Sequence, residues 1–125
     1  MASEEATPLE EELVRACRTA IGDRLRSITH FTEDDVNQVY LRSDLDEDAD
    51  LVGFAEAERH GFHVQSLYRA SELGSYQYTI RTFEQGYLTR VVNGEDGVFV
   101  TTDELSMNRF DELAAAVGSV LENPA

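Results

Sequence analysis

The chain has 125 residues and carries 25 Asp and Glu side chains against ten basic ones, all ten of them arginine, for a formal net charge of −15. This charge excludes nucleic-acid and anionic-membrane binding, which both need a cationic surface, and the absence of lysine excludes Schiff-base and P-loop-lysine chemistry. Hydrophobic residues make up 42% of the chain, enough for one folded domain.

We expect that domain over residues 7–122, between a disordered N-terminus at 1–6 and a short tail at 123–125. Thr7-Pro8-Leu9-Glu10 is typical of a helix start, because Thr can cap, Pro suits the first turn and Glu closes a capping box. Helical spacing then predicts a helix to about Asp23, and its apolar stripe comprises Leu9, Leu13, Ala16, Cys17, Ala20 and Ile21. Cys17 is the only cysteine and is expected to be a buried apolar residue rather than a catalytic thiol.

Two β-rich segments follow the first helix. Residues 25–31 favour a strand, 32–35 form a turn cluster, and 36–42 favour a partner strand. Val36, Val39 and Tyr40 also fit helical spacing, so a helix over 33–41 is the alternative to a hairpin.

An acidic connector, residues 43–50, leads to a predicted second helix from Leu51 to about His60. Asp44, Asp46, Asp48 and Asp50 occupy alternate positions, as in a calcium-binding loop. The position that requires glycine is Ala49, however, and the position that requires Glu is Ala55, so a solvated loop is favoured. The apolar residues within 62–75 show neither helical spacing nor strand-like alternation.

The C-terminal half predicts a three-stranded meander and a helix. Strands are expected at 76–83, 87–92 and 97–102, with turns at Glu84-Gln85-Gly86 and Asn93-Gly94. Ser106 is expected to be the N-cap, and Leu105 with Phe110 is expected to form a hydrophobic staple. The last helix, 107–121, is expected to bury Phe110, Leu113, Ala114, Val117 and Leu121.

The predicted order α-β-β-α-β-β-β-α indicates an α+β domain with an antiparallel five-stranded sheet flanked by helices. This order resembles that of roadblock and profilin-like domains, and the resemblance implies that the first and last helices share one face of the sheet. Roadblock-like domains act as scaffolds or as regulators of small GTPases, which the resemblance implies only by analogy.

Short phrases of the chain also resemble a family of small haloarchaeal cytosolic proteins of unknown function. These phrases are Leu25-Arg26-Ser27, Phe31-Thr32, residues 38–42, Glu72-Leu73-Gly74 and residues 97–103. An acidic, lysine-free composition is typical of proteins that work in concentrated salt, where the Debye length is only about 3 Å at 1 M. An ordinary acidic protein from a GC-rich genome is the alternative. Either way we expect a cytoplasmic protein.

Candidate catalytic groups are few. Glu56, His60 and His63 could approach one another as metal ligands, but Gly61 is expected to end the helix between the histidines. Consecutive acids at 33–35 are expected to punctuate a turn rather than to act in acid–base catalysis. No nucleophile-elbow, dinucleotide-binding or P-loop motif is present, and no cofactor is expected.

The meander carries the candidate interaction surface. If its first turn has two residues, Tyr76, Tyr78 and Tyr87 line one face and Arg81 and Arg90 the other; a three-residue turn separates the arginines. The tyrosines can pack under the helices or, like arginine, contact a partner.

Three function classes remain. The first is a non-enzymatic interaction or regulatory domain that binds a protein partner or forms a homodimer. The second is a sensory or ligand-binding module with a pocket between the sheet and the second helix, closed by residues 62–75. The third, a metal-dependent hydrolase, needs the Glu56, His60 and His63 site.

Overall fold

The structure is a computed structural model that describes residues 7–47, 49, 72–74 and 76–122. Its elements in chain order are α1 (Pro8–Ile21), a 3-10 turn (Gly22–Arg24), β1 (Leu25–Phe31), β2 (Val36–Leu41), β3 (Thr79–Phe83), β4 (Gly86–Asn93), β5 (Asp96–Thr102) and α2 (Met107–Glu122). The predicted second helix at 51–60 and most of the segment 62–75 lie outside the described residues.

The five strands form one antiparallel sheet in the order β2-β1-β5-β4-β3. β1 and β5 are central, so the N-terminal hairpin and the C-terminal meander join through them. This confirms the predicted α+β architecture. Among the described residues, no helix is long and apolar enough to cross a membrane.

Helix α1 begins as its sequence predicts. The Thr7 hydroxyl accepts a hydrogen bond from the Glu10 amide, and the Glu10 carboxylate accepts one from the Thr7 amide, which completes the capping box. The helix ends at Ile21, two residues before the predicted Asp23, because Gly22 takes a positive φ of 59° and a 3-10 turn follows.

Residues 25–41 form the predicted hairpin, and the helical alternative for 33–41 is wrong. Residues 36–41 fit a helix and a strand about equally well by local pattern. Hydrogen-bonded pairing with β1, which also pairs with β5, decides for the strand. The Thr32 hydroxyl accepts from the Asp35 amide and closes the turn. A register shift opposite Ile28 and Thr29 places an extra residue, Val39, in β2 as a β-bulge.

The β3–β4 hairpin begins later than predicted. β3 starts at Thr79 rather than at Tyr76, because residues 76–78 leave the ladder and line a groove against α2. The connecting loop has two residues, Glu84-Gln85, and Gly86 already belongs to β4. Gly86 lies so close to β5 that a Cβ there would be 2.4 Å from the carbonyl oxygen of Thr102.

The core on one face of the sheet lies under α1 and α2. It joins helix side chains to strand side chains such as Ile28, Val98 and Val100. Ser106 caps α2 through the Arg109 amide at 3.4 Å, and Leu105 and Phe110 are both buried, as the predicted staple requires. All five predicted core residues of α2 are buried, and so is Val120.

A second, smaller cluster lies on the opposite face. Phe31, Leu88 and Phe99 are fully buried there, and the rings of Phe31 and Phe99 are 5.9 Å apart. Gly97 lies beneath the Phe31 ring and leaves no room for a side chain. The sheet is therefore buried on both faces at its centre.

Candidate functional site

The five residues of the predicted interaction surface lie in two different places. Tyr87 belongs to the helix side, where its ring meets Phe110 edge to face at 5.1 Å. Arg81 and Arg90 lie on the opposite side. With the two-residue loop, Arg90 faces Thr79, which is two residues from Arg81 in β3, so both arginine side chains lie on the same face of the sheet. Arg90 is only 4% exposed, with its guanidinium 5.9 Å from the Phe31 ring. Whether these residues contact a partner stays a prediction.

Tyr76 and Tyr78 lie together, but outside the sheet. They precede β3 and face α2. The Tyr78 hydroxyl donates a hydrogen bond to Oδ1 of Asp111 on α2, and the Tyr76 hydroxyl pairs with that of Thr79. The hydrogen bond to Asp111, together with partial burial, raises the pKa of Tyr78. The hydrogen bond between Tyr78 and Asp111 ties the start of the meander to the last helix.

An open groove of about 570 Å³ lies between this segment, the end of β4 and one strip of α2. Its strand side includes Tyr76, Tyr78 and Asn93. Its helix side comprises Asp111, Ala114, Ala115, Gly118, Ser119 and Glu122. A Cβ on Gly118 would meet no atom within 4 Å, which shows that the floor is open at that point.

The outer edge of β3 is the second candidate surface. β3 pairs with β4 over five consecutive residue pairs without a bulge, and it is the last strand of the sheet among the described residues. Its last three residues are exposed, among them Phe83, which is 45% exposed. Leu73, shortly before β3 in the chain, is 99% exposed.

The predicted calcium-type loop is described only in part. Asp48 and Asp50 lie outside the described residues. Arg42 donates to Asp44 at 2.6 Å and to Asp103 at 2.7 Å. Asp44 therefore serves a local ion pair with Arg42, and the contact between Arg42 and Asp103 ties the end of β2 to the end of β5. The hydrogen bond from Arg42 lowers the pKa of Asp44.

The metal candidates Glu56, His60 and His63 also lie outside the described residues. Within the described ranges, no three His, Cys, Asp or Glu side chains are grouped as a metal site. His30 is half-buried and its Nε2 lies 2.9 Å from Oδ1 of Asp96. Cys17 is fully buried, and burial raises the pKa of its thiol to about 12, so the thiolate that a nucleophile needs is not formed near neutral pH.

Sequence reasoning missed the groove because its two walls are far apart in the chain. Tyr78 and Asp111 are separated by 33 positions, and neither belongs to a motif. One signal was available: Asp111, Ala115, Gly118 and Glu122 recur at helical spacing, which marks a small-residue strip beside the apolar core face.

Comparison with solved structures shows the same fold in roadblock proteins. A structure described as MglB with a tetrameric arrangement has a TM-score of 0.63 and 12% identity, and the match covers 94% of this chain and 93% of that one. Myxococcus xanthus MglB gives 0.59 at 10% identity, covering 90% of each chain. The roadblock/LC7 domain from Streptomyces avermitilis gives 0.56 at 16% identity, covering 91% and 92%.

At these identities the likeness shows a common fold and no more. A search of curated proteins finds no sequence match. The sequence family described as a domain of unknown function, DUF7522, matches residues 11–122, from within α1 to the end of α2. The chain therefore belongs to the DUF7522 family and has the roadblock fold.

Proposed function

We propose that this protein is a non-enzymatic, cytoplasmic interaction domain with a regulatory role, and that it self-associates through the outer edge of β3. The observation that carries the proposal is this edge: an unbulged strand whose last three residues are exposed, with Phe83 partly accessible at its end. An edge of this kind presents backbone groups on which a second chain can continue the sheet.

The backbone of β3 indicates which amides are available. The residues that close a two-residue hairpin loop, here Phe83 and Gly86, exchange hydrogen bonds. Farther along the ladder, facing residue pairs alternate between non-hydrogen-bonded and hydrogen-bonded. The amides of Ile80 and Thr82 consequently point away from β4. Neither takes part in another described hydrogen bond, so both can pair with a second strand.

The other edge of the sheet is less suited to pairing. β2 carries the bulge at Val39, which bends and twists a strand, and bulged edges resist continuation of the sheet. The Gln38 side chain also donates to the carbonyl of Ala49 in the connector at 2.9 Å. β3 carries no bulge in its ladder with β4. It also contains no Asp or Glu, which limits repulsion between two copies of a chain with charge −15.

Two further observations support the proposal. One protein with this fold is described as MglB with a tetrameric arrangement, which supports the proposal that copies of this chain assemble. The buried Cys17 thiol and the paired His30 serve the structure of the domain rather than an accessible reaction centre.

Sedimentation equilibrium of the full chain in about 2 M KCl, where charge repulsion is screened, tests self-association. We expect a mass of twice the 14.0 kDa of one chain. A strict monomer at every concentration, with no partner recovered in the same salt, contradicts the proposal.

We also propose that the acidic surface is an adaptation to concentrated salt. None of the Asp and Glu side chains in the described ranges is buried. The ten arginines cannot pair with 25 acids, so most of the negative charge faces solvent and repels itself. Screening by salt relieves this repulsion.

This second proposal predicts a salt-dependent melting temperature. We expect the melting temperature to fall clearly between about 3 M and about 0.1 M KCl, because the Debye length grows from less than about 3 Å to about 10 Å. Circular dichroism melts across that range measure it. Sodium chloride and potassium chloride at equal ionic strength should give similar curves, and a melting temperature that does not change with salt would refute the proposal.

A further inference from the structure

The groove between α2 and residues 76–78 has the size and chemistry of a small-ligand site. Its volume of about 570 Å³ lies within the range of about 300–1,000 Å³ that is typical of such sites. We propose that it binds a linear polyamine, an organic cation whose ammonium groups are separated by methylene chains. The groove is distinct from the outer edge of β3, so this proposal does not depend on self-association.

The charge of the groove selects a cation. Asp111 and Glu122 line it, and none of its described lining residues is an arginine or a histidine. The Tyr78 hydroxyl donates to Oδ1 of Asp111, which fixes the orientation of that carboxylate. Oδ2 of Asp111 accepts no hydrogen bond from the described residues, and Glu122 makes no ion pair with them. Both carboxylates can therefore accept hydrogen bonds from ammonium groups.

The spacing of the two carboxylates selects a long, linear cation. Asp111 and Glu122 lie eleven positions apart on the same strip of α2, which at 1.5 Å per residue places their backbones roughly 16 Å apart. An extended tetraamine such as spermine has its terminal ammonium groups at about this separation. Putrescine, a diamine, is too short to reach both.

The floor and the opposite wall suit the methylene segments between the charges. The strip between the two acids consists of small side chains, and a Cβ on Gly118 would meet nothing within 4 Å. Tyr76 and Tyr78 line the opposite wall, and tyrosine rings attract ammonium groups as well as alkyl chains. A thin, flexible chain with internal ammonium groups matches this combination.

Isothermal titration calorimetry of the full chain with spermine tests the proposal, in a salt concentration at which the protein is folded. We expect one saturable site per chain, with putrescine binding at least about tenfold more weakly. Asp111→Asn and Glu122→Gln should each weaken spermine binding about tenfold or more, which corresponds to the loss of one charge-assisted contact. Gly118→Leu should block the groove without removing a charge.

Glu112→Gln is the matched control, because it removes the same charge one position away on α2, outside the groove. Spermine binding should survive this change. Equal weakening by all of the charge variants would mean diffuse attraction to an acidic surface and would overturn the proposal. So would the absence of saturable binding to the wild-type chain, or unchanged binding in Gly118→Leu. Circular dichroism spectra confirm that each variant is folded.

Discussion

Gly97→Ala is expected to destabilise the protein by about 2–3 kcal/mol, because overpacking a well-filled core typically costs about 1–3 kcal/mol. A Cβ at this position would lie 2.4 Å, 2.5 Å and 2.9 Å from three carbon atoms of the Phe31 ring. That ring is fully buried against Phe99, so it has little freedom to move aside. Urea unfolding at constant salt measures the change in the free energy of unfolding.

Gly118→Ala is the matched control, since it makes the same chemical change in open space within a helix. It should leave stability unchanged or raise it by up to about 1 kcal/mol, as expected when glycine in a helix is replaced by alanine. Phe31→Leu should reduce the cost of Gly97→Ala when the two changes are combined, because it removes the clashing ring atoms. Equal effects of the two alanine substitutions would mean that Gly97 does not lie against Phe31.

Thr82→Pro is expected to convert the dimer to a monomer, because proline removes the outward-pointing amide at the centre of the proposed interface. The variant should still fold, since the Thr82 amide is not part of the ladder between β3 and β4 under the alternation of antiparallel pairs. Sedimentation equilibrium measures the change in mass, and a urea melt verifies the fold.

Two controls separate backbone pairing from other effects. Thr82→Ala keeps the amide and removes most of the side chain, so it should remain a dimer. Val36→Pro places proline on the other edge of the sheet, at an amide that points away from β1. The Thr32 amide donates to the Asp35 carbonyl at 2.8 Å, so Thr32 and Asp35 are a hydrogen-bonded pair, and the next pair, Phe31 and Val36, is not hydrogen-bonded. Val36→Pro should also remain a dimer. A dimer that persists in Thr82→Pro, or that is lost in Val36→Pro, would rule out the edge of β3 as the interface.

Local signals predicted the starts of both described helices well. Thr7 and Glu10 form a capping box between residues three positions apart, and Leu105 and Phe110, five positions apart, are both buried in the same core cluster, as a staple requires. Such contacts depend on few residues, so the sequence is enough to find them. The sequence left the faces of the meander open, because a two-residue turn places Arg81 and Arg90 on one face and a three-residue turn separates them. The observed loop has two residues, so the two arginines share a face.

Features that depend on distant contacts were not predictable. Tyr76 and Tyr78 alternate as in a strand, but the Tyr78 side chain reaches Asp111 on α2 and the ladder starts only at Thr79. The alternation of residue types along the sequence indicates which side chains share a face of a strand. It does not indicate where the hydrogen-bonded pairing with the next strand begins or ends. The groove and the open floor at Gly118 likewise depend on how α2 lies against β4.

Pairing between two β3 edges is tested most directly by amide hydrogen exchange at Ile80 and Thr82, followed by NMR as a function of protein concentration. If the edges pair, both amides should become protected as the dimer forms and should exchange rapidly in the dilute monomer. The amide of Arg81, which bonds to β4 under the same alternation, should be protected at every concentration. Rapid exchange of the Ile80 and Thr82 amides in a concentrated, dimeric sample would contradict the proposed interface.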